Sequence, residues 1–201
     1  AIYSLSHRKF VQIGTGTFSW YFPLHTGSMD NRTQVIYLAD EITTGGAISA
    51  LQIYVSTVPG RTMYNWTIRM KHTPLAEYSS CELESSDWTT VYQADESTGS
   101  TGWRLFTFTT PFEYNGTDNL MVDFSFNNSK TAHYSGYCYC STPGGNRSAY
   151  AYSNNTNGDP LDWTGSSSPS VSCDSYVPNV IFTVNLDSVS APTANAEPNF
   201  T

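Results

Sequence analysis

The side chains that most often carry out chemistry are few and scattered in this sequence of 201 residues. Its four histidines are His7, His25, His72 and His133. None lies in the His-Glu-x-x-His or His-x-Glu arrangement of zinc hydrolases, and no Gly-x-Ser-x-Gly nucleophile elbow occurs. Glycosidases need two carboxylates at a set separation. The candidates are Glu41, Asp118 and Asp123, and their positions in the sequence do not place them in one site. We therefore predict that the chain is not an enzyme.

The four cysteines, Cys81, Cys138, Cys140 and Cys173, predict two disulfide bonds. An even number in a lysine-poor, hydroxyl-rich chain is typical of an oxidising compartment. Cys138 and Cys140 leave a strand on the same face, so they are not expected to bridge each other. The expected pairings are Cys81–Cys138 with Cys140–Cys173, or Cys81–Cys140 with Cys138–Cys173. A zinc site is the less favoured alternative, because the spacing is unusual and only His133 lies nearby.

Signals for asparagine-linked glycosylation are the most frequent motif. Seven Asn-x-Ser/Thr sequons occur, against about 3.5 expected by chance from the Asn, Ser and Thr content. They begin at Asn31, Asn65, Asn115, Asn127, Asn146, Asn154 and Asn199. Asn65 and Asn127 neighbour Trp66 and Phe126, which the strand pattern turns inward, so these two asparagines are predicted to face outward. We therefore predict N-linked glycans as the attached groups.

Composition and charge narrow the function classes. The net charge is −8, which disfavours phosphate and hence nucleic acid as a partner. No apolar run approaches the ~20 residues that span a bilayer. The sequence begins at Ala1 without a basic and apolar leader, so we expect that a signal peptide is absent or already removed. Together with the cysteines and sequons, these features predict a secreted protein at the cell surface.

Alternating apolar and polar residues recur along the chain and predict short β-strands. In residues 119–127 the apolar side chains fall at every second position, whereas Asp123 and its outward-facing neighbours are expected to be solvated. Turn residues such as Pro59-Gly60 and Asn115-Gly116 separate such segments. About ten strands at this spacing predict an all-β protein, an antiparallel β-sandwich of the jelly-roll type.

The two ends differ from the middle. Residues 14–186 are predicted to form the sandwich domain, and the polar, proline-containing residues 187–201 a flexible linker or stalk. Residues 1–13 alternate like a strand, with one apolar face formed by Tyr3, Leu5, Val11 and Ile13. This segment can pair within the domain, or it can act as a donor strand for a neighbouring subunit.

The motifs also resemble a known class of module. The run IGTGT (13–17) is followed by TQVIYLADEI (33–42), ISALQIYV (48–55), NWTIRMKHTPL (65–75) and GWRLFTFTTPFEYNGTDNLMVDFSFNN (102–128). This order is similar to that of a module repeated in large secreted, adhesin-type cell-surface proteins of bacteria. The resemblance spans roughly residues 13 to 182, and Cys138 and Cys140 are not part of the pattern. It implies a β-sandwich with a role in adhesion or surface architecture and no catalytic residues.

Two functions from different classes follow. The first is an extracellular structural or adhesive module, a glycosylated subunit of a surface filament or layer, whose partners are head-to-tail copies of itself joined by strand addition. The alternative is a carbohydrate-binding module, in which exposed aromatic rings stack on sugars. Trp20 and Trp163 are the main candidates for stacking, with Tyr21, Trp88 and Tyr152 in similar loops or strand ends.

Calcium is a further candidate ligand. Asp30, Asp118, Asp159 and Asp162 lie in turn-like segments, and their oxygens have the chemistry that Ca²⁺ binds. None belongs to an Asp-x-Asp-x-Asp-Gly loop, so turn formation is the favoured role of these residues. No cofactor is therefore predicted.

Overall fold

The computed structural model describes residues 7–166 and 169–186, which form a sandwich of two antiparallel β-sheets. The predicted all-β sandwich is thereby confirmed. Its strands are β1 (His7–Ile13), β2 (Phe18–Trp20), β3 (Asp30–Tyr37), β4 (Gly46–Thr57), β5 (Met63–Thr73), β6 (Thr89–Glu96), β7 (Gly102–Tyr114), β8 (Asn119–Asn127), β9 (Tyr137–Ser141), β10 (Ser148–Ser153), β11 (Ser172–Asp174), β12 (Val177–Pro178) and β13 (Val180–Leu186). A short helix α1 (Ala39–Ile42) and a 3-10 turn (Pro160–Asp162) interrupt them.

Sheet A has the strand order β1–β13–β4–β9–β12, with β2 paired to β9 and β7 paired to β4. Sheet B has the order β11–β10–β3–β8–β5–β6. From β3 to β10 the chain crosses repeatedly between the sheets, as the strands of a jelly roll do. Each sheet is therefore held together by strands that are distant in sequence. The predicted linker 187–201 lies outside the described residues.

The space between the sheets is filled by the apolar side of the alternating pattern. On β8, Leu120, Val122, Phe124 and Phe126 are fully buried. The fully buried Trp66 of β5 packs within 5.8 Å, centroid to centroid, of both Phe106 and Phe124. Each such side chain contributes about 1.5–3 kcal/mol by leaving water, so this layer is the main source of stability.

The outer face of sheet B is also covered, and here the sequence-based expectation is wrong. Asp123, expected to be solvated, is fully buried. Its carboxylate accepts hydrogen bonds from Nε of Arg32 at 2.9 Å and from Nε of Arg69 at 2.7 Å. Arg32 also donates to the carbonyls of Glu84 and Trp163. The loops that contain these two carbonyls therefore lie over the strand.

A small apolar cluster forms beneath these loops on the outer side of sheet B. Its buried members are Ile36, Tyr78, Leu83, Met121, Ala149, Ala151 and Trp163. Tyr78 donates its hydroxyl to Oε1 of Gln34 at 3.2 Å, and Glu84 donates its backbone N–H to the same oxygen at 2.9 Å. The polar residues of β3 thus find partners in the loops instead of in water.

The predicted disulfide pairings are wrong. The structure pairs Cys81 with Cys173, across a Cα–Cα distance of 5.4 Å, and leaves Cys138 and Cys140 as buried free thiols. Cys81 lies in the loop over sheet B and Cys173 on its edge strand β11, whereas Cys138 and Cys140 point inward from β9 of sheet A. The two pairs are therefore on different sheets. A disulfide is compatible with an extracellular protein.

Counting free thiols tests this pairing. We expect the unreduced protein to take up two maleimide groups per chain when it is unfolded, and none while it is folded. Burial raises the pKa of the Cys140 thiol to about 12 and that of Cys138 well above its usual value, so little thiolate is present in the folded state.

Mass spectrometry of the labelled chain provides the count, and a reduced, unfolded sample that takes up four groups is the control. No uptake by the unreduced, unfolded chain would support two disulfides and contradict the structure.

Candidate assembly and modification sites

The β1 strand lies at the free edge of sheet A. It pairs along its whole length with β13, from His7 opposite Leu186 to Ile13 opposite Val180. Val11 and Ile13 turn inward and are 6% exposed, whereas Phe10 on the other face is 66% exposed. Among the described residues, β1 forms its strand ladder with β13 alone. Tyr3 and Leu5, which complete the predicted apolar face, lie outside the described residues.

The segment that joins β1 to β2 is clamped by two polar side chains. Ser141 Oγ accepts hydrogen bonds from the backbone N–H groups of Thr15, at 3.2 Å, and Gly16, at 2.9 Å. Asn179 Nδ2 donates to the Gly16 carbonyl at 2.7 Å, and Ser141 Oγ donates to Asn179 Oδ1 at 2.9 Å. These contacts fix the point at which β1 leaves the body of the domain.

Both glycines of this segment are required by its geometry. Gly14 has a φ of 82°, which disfavours a side chain. A Cβ on Gly16 would lie 2.2 Å from the Cys140 carbonyl oxygen. The glycines of the motif Gly14-Thr15-Gly16-Thr17 thus allow its backbone to lie close to the backbone of β9. The sequence gives no sign of its partners Ser141 and Asn179, which are more than 120 residues away.

The charge on β1 is opposite in sign to that of the whole chain. Five of the nine lysines and arginines form ion pairs within the domain: Arg32, Arg69, Lys71, Arg104 and Arg147. Arg8 and Lys9 on β1 form no ion pair with the residues that the structure describes, and Lys9 donates to the Thr43 hydroxyl at 3.3 Å. The free edge therefore carries two adjacent basic residues on a protein of net charge −8.

The sequon asparagines differ in exposure. Asn65, Asn115, Asn146 and Asn154 are exposed, and Asn127 is half-buried. The four exposed positions leave room for an attached sugar. Asn65 and Asn127 lie on sheet B, Asn115 in the turn before β8, and Asn146 and Asn154 on either side of β10. Asn199 lies outside the described residues.

Asn31 is unsuitable as a glycosylation site in the folded chain, contrary to the sequence-based prediction. It is fully buried on β3, and its Oδ1 accepts a hydrogen bond from the Thr33 hydroxyl at 2.9 Å. Its side chain points into the sandwich because it shares the face of Val35 and Tyr37, which belong to the core. A sequon alone does not reveal this direction.

The two tryptophans predicted to stack on sugars are also buried. Trp20 is 4% and Trp163 5% exposed. Trp20 closes one side of the sandwich with Phe22 and Cys140, and Trp163 packs beneath the loops of sheet B and donates from Nε1 to the Asn157 carbonyl at 2.8 Å. Their ring faces are covered, so the prediction that they form a stacking platform is wrong.

His25 lies among aromatic rings at the same side of the sandwich. Its ring centroid is 4.6 Å from that of Tyr21 and 5.0 Å from that of Tyr152. Nδ1 forms a hydrogen bond with the Ser135 hydroxyl at 2.8 Å. Burial lowers the pKa of the imidazole to about 4, so His25 is neutral at physiological pH.

The four turn carboxylates considered for calcium separate into two groups. Asp118 and Asp162 lie in turns, and Asp118 accepts from Asn115 Nδ2 at 2.7 Å. Asp159 precedes the 3-10 turn and accepts from the Leu161 N–H at 2.9 Å. Asp30 instead lies on β3 and is 4% exposed. Within residues 7–166 and 169–186, no three His, Cys, Asp or Glu side chains come together as a metal site.

Comparisons with known proteins supply no relative. No protein-family model matches the chain, and no curated protein matches it. In the described part of the chain, the helices are too short or too polar to cross a bilayer. The geometry of the edge strand and of the sequons is therefore the basis for assigning a function.

The lowered pKa of His25 predicts a pH-dependent stability. Above pH 6.5 the imidazole is neutral in the folded and unfolded chains. As the pH falls from 6.5 towards 4, the unfolded chain binds the proton more readily, so the free energy of unfolding decreases. We expect the Tm of the wild type to fall more steeply over this range than that of His25→Gln, as measured by circular dichroism.

His133→Gln, which replaces an exposed imidazole, is the matched control and should keep the steep wild-type profile. Parallel profiles of the wild type and His25→Gln would argue against a buried neutral imidazole.

Proposed function

We propose that this chain is an extracellular, glycosylated subunit of a surface filament or layer, joined to its neighbours by exchange of the β1 strand. The observation that carries the proposal is the position of β1. It is an edge strand, it pairs with β13 alone among the described residues, and it is joined to the rest of the domain through a short glycine-containing segment.

Strand exchange preserves the contacts of the edge strand. The β1 strand of a neighbouring copy would pair with β13 in the same register and bury Val11 and Ile13 in the same core. Backbone hydrogen bonds would provide continuity, and the two alternate apolar side chains would fix the register. Because each copy gives one strand and receives one, the contact is head-to-tail and generates a filament when the rotation does not close.

The distribution of charge and sequons supports the same role. The basic Arg8 and Lys9 on an acidic protein favour encounter between β1 and another copy. The sequon asparagines of the described residues lie on or beside sheet B, except for Asn115 in the turn that leads into it, and none lies on β1, β13 or β4. Glycans at the exposed positions would therefore leave the exchanging edge free. The burial of Trp20 and Trp163 removes the main stacking residues of the carbohydrate-binding alternative, so the filament role is favoured.

A cysteine pair across β1 and β13 tests the exchange. Phe10 and Thr183 lie directly opposite each other, so Phe10→Cys with Thr183→Cys can form a disulfide wherever these strands pair. In oxidised filaments, exchange predicts a ladder of covalent oligomers on a non-reducing denaturing gel. The ladder should disappear on reduction, and electron microscopy should show filaments before denaturation.

Thr183→Cys alone is the matched control and should run as a monomer. A monomer band for the double variant within intact filaments would mean that β1 stays in its own subunit and would contradict the proposal. Deletion of residues 1–13 provides a second test, because filaments of unchanged appearance would also contradict it.

Glycopeptide mass spectrometry of the native protein tests the modification. We expect sugar on Asn65, Asn115, Asn146 and Asn154, which are exposed, and none on Asn31, which is buried. The Asn31 peptide is the internal control, since it carries a sequon of the same form. Unmodified asparagines at all of the exposed sequons would contradict a glycosylated role, and sugar on Asn31 would contradict the orientation of β3.

A further inference from the structure

An open pocket of about 490 Å³ lies at one end of sheet B. It is enclosed by the start of β3, the end of β8 and the segment that follows β10. Its polar lining consists of Asp30, Asn127, Asn128, Ser129, Thr156 and Gly158. Among the residues that the structure describes, none of those lining the pocket is a lysine or an arginine. The start of β3, the end of β8 and the segment after β10 therefore bring oxygen-bearing residues to one space.

Asp30 has an unusual environment in this pocket. The residue is 4% exposed, and its Oδ1 has no hydrogen-bond partner among the described residues. Buried carboxylates in folded proteins are normally paired with a cation or satisfied by hydrogen bonds. The other buried carboxylate of β8 and β3, Asp123, is held by two arginines. Asp30 lacks such a partner, although it lines a space in which one could be bound.

A second carboxylate, that of Asp159, is next in sequence to a lining residue and interacts electrostatically with Asp30. Asp159 follows Gly158, which is part of the lining, and only one of its oxygens is engaged by the Leu161 N–H. The Asp159 charge lies close enough to Asp30 to act on it electrostatically, and a cation bound beside both carboxylates would relieve that repulsion. Around them, the Asn127 side chain and the hydroxyls of Ser129 and Thr156 provide neutral oxygens.

We propose that this pocket binds a calcium ion, with Asp30 as the central ligand and Asp159 as the second carboxylate. The ligand set consists of hard oxygen donors, which suit Ca²⁺ and Mg²⁺ and not softer metals. Ca²⁺ accepts six to eight oxygens in flexible geometry, including hydroxyls, amide oxygens and water. An open pocket with irregular donors fits that requirement better than the octahedron of Mg²⁺.

The ion would join three parts of the chain that meet at this end of sheet B. Asp30 begins β3, Asn127 ends β8, and Asp159 lies in the loop after β10. With two carboxylates, the affinity should fall in the range of extracellular modules, a Kd of about 10⁻⁴–10⁻³ M. An ion held with this affinity would be bound at the calcium concentration outside a cell, and a chelator would remove it.

Thermal unfolding of the full chain in EGTA and in increasing CaCl₂ tests the proposal. At Ca²⁺ concentrations above the Kd, we expect the Tm to rise by about 3–5 °C for each tenfold increase in Ca²⁺. We expect a smaller rise with MgCl₂. Asp30→Asn should abolish the rise while keeping a Tm in EGTA at least as high as that of the wild type, because it removes an unpaired buried charge. Asp118→Asn, at the opposite end of β8, is the matched control and should respond as the wild type does.

Terbium luminescence provides a readout that is independent of stability. Tb³⁺ bound to the wild type should be displaced by millimolar Ca²⁺, and Asp159→Asn, at an exposed position, should weaken binding about tenfold or more. A Tm and a luminescence signal that do not respond to Ca²⁺ would overturn the proposal. An unchanged response in Asp30→Asn, or an equal response to Mg²⁺, would also overturn the assignment of this pocket to calcium.

Discussion

The buried carboxylate of Asp123 is the interaction on which the architecture of sheet B depends. It lies between the guanidinium groups of Arg32 and Arg69, with both of its oxygens engaged. Removing one partner of such a pair costs about 3–5 kcal/mol, because an uncompensated charge is left in the interior. Arg32 in turn binds the carbonyls of Glu84 and Trp163. One ionic group thus holds two loops against the sheet, and the disulfide Cys81–Cys173 secures the same layer.

This covering makes the two sheets unequal. Every residue of β3 is buried, since one face packs in the core and the other lies beneath the loops. In the described residues, sheet A is less covered: Phe10 and Leu105 of its outer face are 66% and 50% exposed. Sheet A also ends in the free edge of β1. Sheet A therefore presents free backbone groups and apolar surface, whereas the loops and most of the sequons belong to sheet B.

The sequence predicts the inner layer well and the outer layer poorly, for a physical reason. The alternation of Val122, Phe124 and Phe126 predicts which side of β8 faces the core, and the burial of these three residues confirms the prediction. The same pattern cannot report that a loop of residues 74–88 covers Asp123, because the contact joins segments that are distant in sequence. The burial of Trp20 likewise depends on tertiary contacts, which local patterns do not encode, and so does the pairing of Cys81 with Cys173. Asn31 differs, because its alternation with Val35 and Tyr37 turns it towards the core, and a sequon alone does not reveal this direction.

The hydrogen bonds that hold Gly16 limit the geometry of strand exchange. Ser141 and Asn179 hold Gly16 against β9, so the body of the domain begins at a fixed point beside β13. Gly14, with its positive φ, is the residue next to β1 that can adopt other backbone conformations at low cost. If β1 is given to a neighbour, the change of direction is confined to this position. A short connection of this kind keeps successive copies close together, and the angle of a regular filament would then be fixed by contacts between the copies.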